Sequence, residues 1–79
     1  MKVELGKFYR STGVWSTGLY RSPNEIGAFG KIRQNDIFVI LEQKNISTHE
    51  HFRVLTATGE IGWITPSQTY IQQVREEDV

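Results

Sequence analysis

The stretch Gly59-Glu60-Ile61-Gly62-Trp63-Ile64-Thr65-Pro66-Ser67 constrains the fold more than any other part of the chain. It joins a glycine turn, a short strand of β-branched and aromatic residues, and a turn marked by proline. Glycine supplies the backbone conformations of tight turns, and proline is excluded from the interior of a central strand. Such close spacing of turns and short strands predicts an all-β fold.

Elsewhere the chain shows strand alternation rather than helical spacing. The predicted strands are rich in β-branched and aromatic residues and cover 37–41, 51–56, 60–64 and 70–74. The second and third of these form a hairpin through Thr58 and Gly59. Asn35 and Asp36 predict a turn before the first strand. The polar residues 43–50 are predicted to form an exposed loop, while 30–33 are either a short strand or one arm of a turn.

Residues 11–30 contain too many glycines, together with Pro23, for a long strand or helix, so we predict a long structured loop. This loop carries several apolar side chains, which we expect to fold back and pack because leaving them in water is unfavourable. They are Val14, Trp15, Leu19, Tyr20, Ile26 and Phe29.

The 79 residues predict a single domain, with a core in residues 7–74 and a charged tail at 75–79. There is no cysteine, so stability must come from packing and backbone hydrogen bonds rather than disulfides. The N-terminal segment carries Glu4 and lacks a continuous apolar run, which predicts neither a secretory signal nor a membrane span. We therefore expect a cytoplasmic protein, in its own cell or in a host cell.

The order and spacing of these features resemble a Src-homology-3 (SH3) domain over residues 7–74. Residues 32–37 resemble the diverging turn of that family. Residues 59–67, with Tyr70 and Ile71, resemble its later Gly-x-x-Gly-Tyr/Trp-Ile-Pro-Ser-x-Tyr-Val pattern, with Thr65 as one extra residue. The sequence is closer to bacterial and bacteriophage versions than to eukaryotic signalling ones. The resemblance implies a five- to six-stranded SH3-like barrel whose long loop corresponds to the RT loop.

The resemblance also implies a non-catalytic module that binds a protein or peptide partner in an aromatic-lined groove. His51 stands where the family has a groove tryptophan, and Arg10 and Arg21 stand where eukaryotic members have acidic residues. A standard arginine-flanked proline motif is therefore not the expected ligand. The candidate ligand-binding residues are Tyr9, Trp15, Tyr20, His51, Trp63, Pro66 and Tyr70.

Several of these candidates also have a purely structural interpretation. Trp63 either caps the barrel or contacts ligand, because alternation places it with Ile61 on the face opposite Ile64, and the sequence does not show which face is inside. Pro66 and Tyr70 are equally suited to shaping the turn into the last strand. Trp15 either anchors a partner from a mobile loop or completes a small core.

No residue set predicts catalysis. His49 and His51 are the only histidines, no cysteine is present to act as a nucleophile, and no serine has the sequence context of a nucleophile elbow. The two histidines have strand spacing and supply only two metal ligands, fewer than a complete site needs. We predict no enzyme activity and no cofactor.

Two other functions remain open. Formal net charge is zero, but residues 1–33 hold six basic residues against Glu4 and Glu25. Basic residues interleaved with aromatic residues suit a nucleic-acid-binding barrel, although a phosphate binder usually has a net positive charge. Some bacterial and bacteriophage relatives of the SH3 barrel bind peptidoglycan, so a cell-wall or virion accessory component is the third hypothesis.

Overall fold

The computed structural model of the chain describes residues 3–13, 16–23, 26–46, 48–65 and 71–75. Every regular element among these residues is a β-strand, so the predicted all-β fold class is confirmed. The strands are β1 (Phe8–Ser11), β2 (Thr17–Leu19), β3 (Gly30–Ile32), β4 (Ile37–Ile46), β5 (His49–Thr56), β6 (Ile61–Ile64) and β7 (Ile71–Gln73). The described residues include no helix that could span a membrane.

The strands form two antiparallel sheets. One has the order β6-β5-β4-β1-β7, and the other is the β2–β3 pair. A bridge joins the sheets: the Tyr20 nitrogen donates to the Trp63 carbonyl at 2.9 Å, and the Trp63 nitrogen donates to the Tyr20 carbonyl at 2.6 Å. The pairing seen among the described residues does not close a barrel. The seven strands of the described residues exceed the predicted five to six because the long loop itself contains β2, which pairs with β3.

The prediction of an exposed loop at residues 43–50 is wrong. β4 and β5 form a long hairpin whose register runs from Phe38↔Thr56 to Ile46↔His49, with two residues between the last pair. The register shifts between Ile40 and Glu42. The far end of this hairpin is polar and largely exposed on β4, so it lacks the apolar alternation that reveals a strand in a sequence.

Alternating residues of the strands build the core. On β4 the buried residues are Phe38 and Ile40, and on β5 they include Phe52 and Val54. The rest of the hydrophobic cluster comes from the N-terminal segment and the other strands: Val3, Tyr9, Leu19, Ile32, Ile64 and Ile71. Packing of these side chains against one another holds the two sheets together.

The long loop packs onto the sheet through some of its apolar residues. Leu19 is fully buried, and Phe29 is partly covered. Ile26 is 98% exposed, so the expectation that it packs is wrong. Ile26 lies outside the β2–β3 pairing, whereas Phe29 is held against β2 because its nitrogen donates to the Leu19 carbonyl at 2.9 Å. Val14 and Trp15 lie outside the described residues.

The turn predicted at Asn35 and Asp36 is present. Asn35 has a positive φ of 73°, and the Arg33 backbone nitrogen donates to Oδ2 of Asp36 at 2.9 Å. Asn and Asp suit these positions because they tolerate left-handed backbone and bond locally. The residues before this turn, 30–32, form β3, which decides between the two alternatives for that segment.

Candidate ligand-binding surface

Trp63 lies on the outer face of β6. Gly62 and Ile64 are buried, whereas Trp63 is half-buried and Ile61 is 53% exposed. Because successive side chains of a strand point to opposite faces, the core side of β6 is that of Gly62 and Ile64. The structure thus decides the question that alternation in the sequence left open.

Strand pairing places Trp63 within a row of side chains that crosses the outer face. Tyr20 is directly opposite Trp63 through the bridge, and Arg53 is directly opposite it on β5. Directly opposed residues of an antiparallel pair project on the same side, close enough to touch. Arg53 in turn opposes Glu42, with Nη1 3.7 Å from Oε1. We call Tyr20, Trp63, Arg53 and Glu42 the Trp63 row.

His51 stands on the same face, one row nearer the β4–β5 turn. It opposes Lys44 on β4, and its Nδ1 lies 2.7 Å from Oγ1 of Thr65, which follows β6. His51 is only 8% exposed, so this hydrogen bond fixes a largely covered imidazole. Among the described residues, no three or more His, Cys, Asp or Glu side chains are grouped to hold a metal ion.

On the other side of the Trp63 row lies a row of apolar side chains. Phe8, Val39, Leu55 and Ile61 come from four adjacent strands and are paired in register. A cavity of about 330 Å³ opens along this apolar row. Its lining is Phe8, Ile37, Val39, Leu55, Thr56 and Ala57.

An antiparallel sheet with one solvated face normally alternates apolar and polar residues. The apolar row departs from that rule. Sequence reasoning missed these residues, although a signal was present: residues 37–41 are apolar without interruption, which puts apolar side chains on both faces of β4.

The long loop also places a cation over an aromatic ring. The Arg21 guanidinium lies 5.2 Å from the centre of the Phe29 ring, a cation–π geometry. The same ring packs against β6, because a Cβ at Gly62 would lie 2.9 Å from Cζ of Phe29. The ring that Arg21 covers therefore lies on the Gly62 side of β6, the face opposite Trp63.

The structure brings together three of the predicted ligand-binding residues, Tyr20, His51 and Trp63. Tyr9 lies elsewhere: it is buried against Phe38, with ring centres 6.4 Å apart, and its hydroxyl accepts a hydrogen bond from the Glu4 nitrogen at 2.8 Å. Trp15, Pro66 and Tyr70 lie outside the described residues.

In a comparison with known proteins, no family model, curated protein or solved structure matches the chain.

Proposed function

We propose that this chain is a non-catalytic protein-interaction module, and that it binds an extended protein or peptide segment across the Trp63 row and the apolar row. The observation that carries the proposal is the outward position of Trp63, between Tyr20 and Arg53 and one row from the apolar row whose residue Leu55 lines the cavity. Trp, Tyr and Arg are the residue types most enriched among interface hot spots.

The two rows supply different parts of the binding free energy. The apolar row offers surface whose removal from water is favourable, about 25 cal/mol per Å² of apolar area. Tyr20, Trp63 and Arg53 add aromatic faces and hydrogen-bond donors that orient a ligand.

We also propose that the fold is an SH3-like barrel acting in a cytoplasm. Three features support the assignment, because they occur in the order that the resemblance implies. They are the long loop at residues 11–30, the turn before β4 and the β5–β6 hairpin at Gly59. In that barrel His51, hydrogen-bonded to Thr65, occupies the place of a groove tryptophan, so a standard arginine-flanked proline motif is not the expected ligand.

The binding proposal is tested with peptides selected from a random displayed library on the wild-type chain. We expect Trp63→Ala to weaken binding of the selected peptides by about 30-fold or more, the loss typical of a hot-spot residue. Leu5→Ala is the matched control, because Leu5 is an exposed apolar residue in the N-terminal turn, and it is expected to bind as wild type does. Titration calorimetry measures both.

Equal binding by Trp63→Ala and wild type would overturn the proposed surface. Failure to select any peptide, combined with single-stranded DNA binding that weakens steeply with salt, would instead support the nucleic-acid hypothesis.

A further inference from the structure

One edge of β4 has no described strand beside it. β1 pairs with β4 only as far as Val39. The last backbone hydrogen bonds on that side are made by Ile40: its carbonyl accepts from the Gly6 nitrogen at 2.7 Å, and its nitrogen donates to the Lys7 carbonyl at 3.4 Å. β4 continues to Ile46, paired there only with β5 among the described residues. We call residues 41–45 the β4 edge. An edge strand presents backbone donors and acceptors that can pair with another strand.

The hairpin geometry shows which backbone groups face outward from this edge. Ile46 and His49 are paired with two residues between them, so their backbone groups face each other across the turn. Backbone groups alternate in direction along an antiparallel strand. Those of Gln43 and Asn45 therefore point away from β5.

Four side chains of the β4 edge are exposed, and two of them carry opposite charges. Glu42, Gln43, Lys44 and Asn45 are all exposed, so both faces of the strand are accessible at this point. Glu42 and Lys44 are two residues apart and share one face. Formal net charge is zero, so there is no overall repulsion between copies of the chain.

We propose that the β4 edge pairs with the β4 edge of a second copy, antiparallel about a two-fold axis through Gln43. In this register Gln43 opposes Gln43 of the second copy, and its outward backbone groups exchange both hydrogen bonds. Glu42 opposes Lys44 of the second copy, twice by symmetry, and Asn45 opposes Leu41. Gln43 is the midpoint of the β4 edge, residues 41–45, so this register uses the full length of that edge.

The charges select this register among its neighbours. An axis through Glu42 or Lys44 would place like charges directly opposite each other, which is destabilising. The axis through Gln43 instead pairs each Glu42 with Lys44 of the other copy. Glu42 also lies 3.7 Å from Arg53 of its own chain. The interface is isologous and closes as a dimer rather than a fibre. It joins the five-stranded sheets of the two copies into one, and it leaves Tyr20, Trp63 and Arg53 of the Trp63 row free to bind.

The test uses sedimentation velocity of the 79-residue chain over a range of concentrations. The wild type is expected to form a dimer as concentration rises. Glu42→Lys alone and Lys44→Glu alone each place like charges opposite one another, and we expect the dimer to weaken by at least about tenfold. The double swap Glu42→Lys with Lys44→Glu restores the opposite-charge pairs and the dimer.

An equimolar mixture of the two single variants gives a sharper result, because one chain then carries two lysines at these positions and the other two glutamates. A heterodimer is expected from two chains that are separately monomeric. Lys31→Glu, an exposed change on β3, controls for net charge and is expected to dimerise like the wild type. Circular dichroism checks that each variant is folded.

A wild type that stays monomeric at all concentrations would overturn the proposal. So would a dimer that neither single charge change weakens, because the second copy would then dock elsewhere, with the apolar row as the next candidate.

Discussion

At the scale of single residues, Gly62 shows how the absence of a side chain brings the long loop onto the sheet. A Cβ at Gly62 would lie 2.7 Å from Cγ of Leu19 and 2.9 Å from Cζ of Phe29. Carbon atoms in contact are normally about 3.5–4.0 Å apart. Leu19 and Phe29 therefore occupy the space that any other residue at position 62 would fill.

We predict that Gly62→Ala lowers the free energy of unfolding by about 1–3 kcal/mol, because the added methyl group overpacks the contact between loop and sheet. Urea denaturation followed by fluorescence measures the change. Gly30→Ala is the matched control: its Cβ would meet no atom closer than 3.5 Å, so the expected change is within about 0.5 kcal/mol. Equal losses in both variants would contradict the packing of Leu19 on β6.

For Trp63, the sequence predicts the orientation of the side chain relative to Ile64, but only the structure shows its neighbours. The sequence places Trp63 on the face of the strand opposite to that of Ile64, because successive side chains of a strand alternate between faces. Only the pairing of β6 with Tyr20 on one side and β5 on the other shows that its neighbours are Tyr20 and Arg53. Those neighbours lie far from Trp63 along the chain, so no local pattern reveals them.

At the scale of elements, the turn before β4 is determined by its own residues. Asn35 adopts φ 73°, and its nitrogen donates to the Ser11 carbonyl at 2.7 Å, which fixes the turn against β1. Asp36 bonds back to the Arg33 nitrogen. The left-handed backbone of Asn35 and the bond between Asp36 and Arg33 are local, which explains why the sequence predicted the turn correctly.

We predict that Asn35→Ala lowers the free energy of unfolding by about 1 kcal/mol, because an ordinary side chain is strained in the left-handed region. Asn35→Gly is the control: it retains the backbone bond to Ser11 and relieves the strain, so we expect little change. Thermal denaturation of both variants distinguishes them. A loss in Asn35→Gly as large as in Asn35→Ala would show that the asparagine side chain, rather than its backbone conformation, stabilises the turn.

The β4–β5 hairpin shows where local signals fail. Residues 43–50 carry polar side chains and resemble a loop, yet most of them are paired strand. Their pairing comes from the backbone of the opposite strand and from the core residues Phe38, Ile40, Phe52 and Val54 further along the same two strands. Polar side chains do not prevent two strands from pairing when adjoining residues of the same strands are buried in the core.

At the scale of the whole molecule, a chain of 79 residues has a small reserve of stability, roughly 4–12 kcal/mol at the usual value per residue. Its core joins strands from both sheets through fully buried residues such as Leu19, Ile40 and Val54. The free energy lost with one such contact is therefore a large fraction of the total free energy of unfolding.

We predict that Ile40→Ala lowers the free energy of unfolding by about 2–5 kcal/mol, through lost burial and the cavity left behind. Ile61→Ala is the matched control: Ile61 is more than half exposed, and the expected change is within about 0.5 kcal/mol. Chemical denaturation measures both variants. Similar losses would mean that Ile61 is covered in solution, for example by a second copy, and a concentration series would reveal this.

The sequence by itself determined the all-β class, the turns at Asn35 and Gly59, the β5–β6 hairpin and the opposite facing of Trp63 and Ile64. Each of these follows from glycine, asparagine or alternation acting within a few neighbouring residues. Only the tertiary structure decided which face of β6 is inside, that Tyr9 is buried and Ile26 exposed, and that an apolar row crosses the outer face. These depend on strands that meet across the sheet from distant parts of the chain, where packing rather than local preference sets the outcome.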